Sequence, residues 1–285
     1  MDTSNPDPAS LVYVDRATLQ QLAVKLLQRK GMFAAEAEIV AERMIEADLR
    51  QRPADGTGSL AEYLEAMDLG DIDPRARTLT VSETPAIAVL DGSTGMGHVA
   101  ATRAMLMCVE KAIAVGTGCV SVRNSRLCGD LGGIVRLAAN QGLIGLITTS
   151  FDEGESGAAD EINMAWAIPA PDGAVPLVER GRSRHPDGEL SILCSVLSAG
   201  LAGADPHPRK RKAVRVANTV EYGLMAVSPD KFGTRDAFHA KWKPLWSNDA
   251  ATGGDPAAAT TVPLQSSVAG RLAELAAKTK FAVSW

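Results

Sequence analysis

The sequence predicts an α/β fold in which a helical module precedes a layer of alternating strands and helices. Three observations carry this. Apolar residues recur at helical spacing from Leu19 to Ile45. From Leu79 to Thr149, short alternating or continuous apolar runs take turns with helix-like segments. No apolar run reaches the roughly 18 residues that a membrane-spanning helix needs, so the apolar segments belong to a packed core.

Residues 1–10 are polar and Pro-containing and read as a loose leader without signal-peptide character. Asp15 is placed to cap a first helix, with Leu19, Leu22, Ala23, Leu26 and Leu27 on one face and Gly31 at its end. A second helix starts near Ala34, presents Ala37, Val40, Ala41, Met44 and Ile45 together, and reaches about Arg50. Pro53, Gly56 and Gly58 make 51–58 a loop, and a short helix covers 60–67. Segments 79–83 and 86–90 read as strands, 91–97 as a Gly-rich loop and 99–114 as a helix. Next come a strand over 118–124, a helix over 131–139 and a strand over 143–149. Residues 151–161 form an acidic loop, 164–168 a strand, 171–188 an irregular stretch and 190–202 a buried helix. The remainder reads as a strand (220–227), a helix (234–242), a loose Ala/Gly/Thr loop (250–261) and a closing helix (268–278).

The 285 residues, 46% hydrophobic and 22% charged, suffice for one large or two medium domains with a real core. A net charge of −5 argues against nucleic-acid binding through the overall field. One basic run, Arg209-Lys210-Arg211-Lys212, reads either as a solvated loop or as a phosphate-binding one. The four cysteines, Cys108, Cys119, Cys128 and Cys194, form no CxxC, and no Cys/His cluster has zinc spacing. A reducing cytoplasm and no metal are therefore expected.

Several motifs, in order, carry a resemblance. Ala47-Asp48-Leu49-Arg50 is followed by Tyr63. Asp91-Gly92-Ser93-Thr94-Gly95-Met96-Gly97 forms the Gly-rich loop. Val122-Arg123-Asn124-Ser125 ends a strand, Asn163 stands just before the strand at 164–168, and 218–242 follows. Together they resemble the type-2 malate/L-lactate dehydrogenase family. That family is distinct from the Rossmann-type lactate dehydrogenases and includes sulfolactate and ureidoglycolate dehydrogenases and cyclic-imine carboxylate reductases. The resemblance implies a helical domain built from both chain ends, 1–78 plus about 246–285, and a mixed-sheet domain over 79–245 that holds NAD or NADP in relatives. It also implies a homodimer with its site at a domain and subunit boundary.

The departures lie at the chemistry. Where the family reads Asp-Ser-His-Gly, this chain has Pro53-Ala54-Asp55-Gly56, with Ser59 in place of a later arginine. Where the family reads Asn-His-Phe-Gly, this chain has Arg126-Leu127-Cys128-Gly129. The nucleotide-holding stretch corresponds at best to 179–183, and a segment expected between Ser183 and Asp187 is missing. Reduction of a 2-oxo acid needs a nicotinamide beside the carbonyl carbon. It also needs an acid for the nascent alkoxide, matched by histidine near neutral pH, and a cation for the carboxylate. Leu127 supplies none of these, and Asp55, with an ordinary pKa of about 3.9, is ionised at neutral pH.

Other groups nearby are candidates for a new site. Arg126 is a carboxylate binder or a surface charge. Cys128 is a nucleophile or acid, or else a small buried hydrophobe. Asp55 is a general base or amine binder, or else a turn residue. Tyr63 is a proton donor or core packing, Asn163 a ligand-binding amide or a turn residue, and His98 an acid/base or helix-start packing. His185, His207 and His239 read as loop or surface residues. The Gly-rich loop lacks the Lys-Ser/Thr of a P-loop. Three functions follow. The first is a non-redox enzyme on a small carboxylate or amino acid (a cyclase, lyase, hydratase or isomerase) with no cofactor. The second is an NAD(P)H-dependent oxidoreductase of 2-oxo acids or cyclic imines with a relocated acid. The third is a non-catalytic binding subunit.

Overall fold

The computed structural model describes residues 11–149, 161–170, 173–182, 193–194, 196–203, 220–234, 236–238, 240 and 259–283. The chain divides into two compact units, Met1–Gly70 with Gly253–Trp285, and Asp71–Thr252.

The first unit is built from both chain ends. Strand β1 (Leu11–Asp15) pairs antiparallel with β9 (Thr261–Gln265), Val14 opposite Val262. Helix α1 (Arg16–Arg29) starts where the Asp15 carboxylate accepts from the Thr18 amide at 2.7 Å, the cap expected from sequence. Leu19, Leu22, Ala23, Leu26 and Leu27 are all buried, as their spacing requires. Helix α2 (Ala34–Leu49) packs along α1 and buries Val40, Ala41, Met44 and Ile45. A 3₁₀ turn at Thr57–Ser59 leads into α3 (Leu60–Asp68), and α6 (Ser266–Lys278) closes the unit. Far down the chain, Thr279 O accepts from Arg29 Nη2 at 2.9 Å.

The second unit is a seven-stranded mixed sheet, ordered β2-β3-β4-β8-β5-β6-β7. The strands are β2 (Leu79–Glu83), β3 (Ile87–Asp91), β4 (Thr117–Ser125), β5 (Ile144–Thr149), β6 (Glu161–Ala170), β7 (Gly173–Arg182) and β8 (Val220–Val227). Only β3 and β4 run parallel; β8 lies antiparallel between β4 and β5. Helices α4 (Gly97–Val115) and α5 (Leu131–Ala139) pack on one face, over Val120, Val122, Leu224, Ile147, Ala165 and Ala167. Asp130 caps α5 by accepting from the Gly132 and Gly133 amides. A π-helical turn at Val196–Gly200 lies against the strands, where the Leu197 carbonyl meets Gly223.

Several sequence readings need correction. The stretch 171–188 was expected to be irregular, yet 173–182 is strand β7 in a hairpin with β6, Ala170 opposite Gly173. Pro176 and two glycines hide its periodicity; β7 is the last strand of the sheet, where a missing N–H is tolerated. The segment 190–202, expected to be a buried helix, is helical in its described residues, with a π-helical stretch at Val196–Gly200, but it is buried on one side only: Cys194, Ser198 and Ala202 are buried while Leu193, Val196 and Leu201 are about half exposed. Strands β1 and β9 are absent from the sequence reading because each is short and finds its partner about 250 residues away. Helix α4 starts at Gly97 rather than Val99, and β6 extends beyond 164–168 at both ends. The leader, residues 151–160 of the acidic loop, the 209–212 basic run, His185, His207 and His239 lie outside the described residues, and Glu161, read as the end of that loop, opens β6.

No helix among the described residues is long and apolar enough to cross a membrane. All four cysteines are free thiols, and no group of three or more His, Cys, Asp or Glu is placed to hold a metal among the described residues.

Val14 is fully buried at the β1–β9 pairing. Val14→Asp forces an unpaired carboxylate into that site and is expected to cost at least about 3 kcal/mol. Urea unfolding followed by far-UV circular dichroism measures it. An unchanged midpoint means that β1 does not pack as described.

Candidate functional site

The chemistry-bearing groups of the second unit gather where the parallel strands β3 and β4 end. Asp91 closes β3 and organises the two loops that leave the sheet. Its Oδ1 accepts from the Ser93 amide at 2.9 Å and from Asn124 Nδ2 at 3.1 Å. Its Oδ2 accepts from Arg123 Nε at 3.1 Å. Burial raises the Asp91 pKa, but the Ser93 amide, Asn124 and Arg123 outweigh it and hold the carboxyl below its ordinary value. The Thr94 amide donates to Asn124 O at 2.8 Å, stitching the loops to each other. Three non-glycine residues here have left-handed backbones: Ser93 at φ 51°, Thr94 at 58° and Asn124 at 56°. Such conformations cost about 1–3 kcal/mol each and persist where neighbours over-determine them, often at functional sites. The carboxyl ends of parallel strands are also where open α/β sheets bind ligands.

Behind these loops lies a buried polar layer. The first residue of α4, Gly97, touches the turn after β4 so closely that a Cβ would stand 1.9 Å from Arg126 O and 2.4 Å from both Leu127 O and the Tyr222 hydroxyl. His98 follows, fully buried, and a Cβ at Gly129 would fall 2.6 Å from its Nε2. Cys128 is 2% exposed. Arg126 is also buried, its Nε donating to Asp71 O at 2.7 Å; burial lowers its pKa, and Asp71 and Tyr222 partly offset this. Leu127 alone of this turn points out, 50% exposed. The structure therefore brings His98, Arg126 and Cys128 together, but inside the protein beneath Leu127.

Asn163 stands near the start of β6, buried, and its backbone N–H supports the Cys194 sulfur, whose pKa burial raises. Register carries it toward the same sheet end: Thr149 pairs with Tyr222 on β8, and β5 pairs with β6 up to Thr148 opposite Met164. Tyr222 is the residue the sequence reading missed. It is fully buried, and only its place at the start of an apolar strand marked it as core.

In the first unit, Asp55 and Tyr63 are half-buried, Asp55 in the loop after α2 and Tyr63 on α3. Asp48, read only as part of a motif, proves to be the organiser of that loop. Its Oδ2 accepts from the Thr57 amide at 2.9 Å and from Thr57 Oγ1 at 2.7 Å. A Cβ on Gly56 would lie 1.9 Å from Asp48 Oδ1, so only glycine fits there. Burial pushes the Asp48 carboxyl up to about 6, against the lowering pull of the two Thr57 bonds.

A dinucleotide needs backbone that approaches it closely, usually at glycines. Here the close-approach faces of Gly92 and Gly97 are filled by Ser125 and by the Arg126 and Leu127 carbonyls. The stretch Glu179–Arg182 is backbone-paired to β6.

Gly97→Ala is expected to cost about 1–3 kcal/mol because its methyl overlaps a carbonyl oxygen. Gly270→Ala, on α6 with nothing within 4 Å of the new methyl, is the control and should be neutral or stabilising. Urea midpoints compare them, and equal midpoints would contradict the packing described. The raised Asp48 pKa means that the folded chain binds this proton more tightly than the unfolded chain does. Its contribution is fully present below about pH 4 and is lost as pH rises through about 6, on the order of 3 kcal/mol in all. Asp48→Asn should flatten stability across that window in pH-resolved urea unfolding.

Comparison with known proteins agrees with this architecture. Residues 14–155 match the family Malate/L-lactate dehydrogenase. L-sulfolactate dehydrogenase of Methanocaldococcus jannaschii is 36% identical over 131 residues, 46% of this chain and 38% of that protein. Malate dehydrogenase of Pyrococcus abyssi is 35% identical over 139 residues, 49% of this chain and 38% of that protein. The matched stretch thus spans well under half the length of these curated relatives. Among solved structures, malate dehydrogenase from Pyrococcus horikoshii OT3 superposes with a TM-score of 0.81 at 21% identity, covering 100% of both chains. Delta1-piperideine-2-carboxylate reductase from Pseudomonas syringae superposes with a TM-score of 0.76 at 16% identity, covering 93% of this chain and 99% of that one. These likenesses establish a shared fold, and with the sequence match over residues 14–155 the chain belongs to the malate/L-lactate dehydrogenase family.

Proposed function

We propose that this chain is an enzyme that acts on a small carboxylate or amino acid by proton transfer rather than hydride transfer. On this reading it is a cyclase, lyase, hydratase or isomerase on a dehydrogenase scaffold, homodimeric and cytoplasmic. The observation that carries the reading is Leu127. It occupies the position that the resemblance assigns to a family histidine, it is half exposed, and a hydrocarbon neither gives nor takes a proton. The filled faces of Gly92 and Gly97 also speak against a nicotinamide at this end of the sheet.

In this proposal the substrate is held by groups of the sheet unit. Arg126, fixed through Nε by the Asp71 carbonyl, anchors the substrate carboxylate, and Asn163 binds a polar substituent. Cys128 and His98 are the candidate proton donors of that unit; His98 is the one imidazole among the described residues. In the helical unit, Asp55, in the place that the resemblance gives the other family histidine, is the candidate general base, and Tyr63 the candidate proton donor.

The second reading, an NAD(P)H-dependent oxidoreductase of 2-oxo acids or cyclic imines, draws support from the fold. It is retained over the whole chain against a malate dehydrogenase structure. Calorimetric titration with NADH and NADPH separates the two. No heat of binding up to millimolar cofactor is expected, together with solvent-deuterium incorporation into a small amino or hydroxy acid followed by proton NMR. Arg126→Gln should slow that exchange roughly tenfold or more. Micromolar cofactor binding would overturn the non-redox reading.

A further inference from the structure

The loop between α2 and α3 is shaped by one buried carboxylate. Asp48 is 5% exposed, one residue before the end of α2. Gln51 turns the chain back in a left-handed conformation, φ 57°, and the Arg52 amide donates to Ala47 O at 2.8 Å. The Asp55 amide donates to Arg52 O at 2.9 Å and the Gly56 amide to Pro53 O at 3.3 Å. Beyond Asp55 the chain is tied to the floor: Thr57, fully buried, gives both its amide and its hydroxyl to Asp48 Oδ2. Ser59 Oγ then donates to Gly56 O at 2.7 Å. Asp55 thus lies between the end of α2 and Thr57, which Asp48 holds.

We propose that Asp48 is the positioning residue of this loop, a clamp that is tight when its carboxyl is protonated and loosens when it ionises, and that it thereby sets where Asp55 stands. Its relevance to catalysis rests on the reading of Asp55 as part of the site.

The asymmetry of the carboxyl supports this. Both hydrogen bonds fall on Oδ2 and come from one residue, while Oδ1 lies against the Gly56 backbone. A neutral acid accepts those two bonds at little desolvation cost. A carboxylate in the same place is under-solvated, and lifting the loop is the route by which water reaches it. The proton that leaves goes to solvent, and no other bond breaks. The charged groups on the neighbouring elements are not what sets its titration. Arg43 and Glu46 on α2 pair with each other at 2.9 Å. Arg50, Arg52 and Asp55 belong to the turn, Arg29 on α1 reaches Thr279, Glu62 and Glu65 on α3 and Arg271 and Glu274 on α6 face solvent, and β9 has no titratable group. Burial raises the Asp48 pKa and Thr57 opposes it; no charge contributes.

Amide hydrogen exchange by NMR on the full chain, corrected for intrinsic rates, tests the clamp from about pH 5 to about pH 8. In the wild type, the opening equilibrium reported by the Asp55–Ser59 amides should grow with pH along a single titration, toward a limit on the order of a hundredfold. Asp48→Asn should be flat and protected, and Asp48→Ala unprotected at every pH. If the alanine variant fails to fold, the asparagine variant still decides. Asp55→Asn should keep the wild-type profile, and its binding of oxalate, measured separately, reports on the proposed site alone. Wild-type protection that does not change with pH, an unaltered profile in Asp48→Asn, or a flattened one in Asp55→Asn would each overturn the proposal.

Discussion

The sheet unit depends on one close approach: the backbone of Gly97 against the carbonyls of Arg126 and Leu127. Because no Cβ intervenes, α4 begins directly beneath the turn that leaves β4. That places His98 under Gly129 and brings the Tyr222 hydroxyl from β8 to the same spot. Buried polar residues, among them His98, Ser125 and Arg126, thus lie beside the core residues Val122, Cys128 and Tyr222 at this end of the sheet. Buried polar groups are costly unless satisfied, so this end is specified tightly, and the turn has little freedom to rearrange around a new side chain. What the turn shows to the outside is Leu127, and what it hides is Arg126 and Cys128.

Two carboxylates organise loops in the two units, and opposite balances govern them. Asp91 is partly exposed and receives hydrogen bonds from a backbone amide, a side-chain amide and a guanidinium. Those partners favour the charged form more than burial opposes it. Asp48 is almost fully buried and is served by Thr57 alone, so burial wins and its carboxyl moves up to about 6. The Asp91 lattice is therefore an ionised fastening that remains set at neutral pH. The Asp48 contact is set against its own charge there, and the 52–59 loop inherits that conflict.

The chain keeps the family's scaffold. Residues 14–155 carry the sequence likeness, and the fold likeness extends over the whole chain. The left-handed backbones at Ser93, Thr94 and Asn124 lie within the matched stretch, and Asp91 holds Ser93 and Asn124. Asp55 and Leu127, at the divergent positions, sit in loops that the scaffold still shapes.

The sequence by itself determined the elements whose information is local. The Asp15 cap and the spacing of the α1 and α2 apolar faces suffice to place those helices, and α5 and β8 were read to the residue. It also determined the family, through ordered motifs. Only tertiary structure decided what depends on a distant partner. Strand β1 exists because β9 returns to pair with it, and β7, broken in sequence by proline and glycine, exists because β6 supplies its ladder. For the same reason the site was legible as a list of residue types but not as an arrangement. The burial of His98 and Cys128, the part played by Tyr222 and the titration of Asp48 follow from what packs against them, and a side chain's neighbours across a fold are not written beside it in the chain.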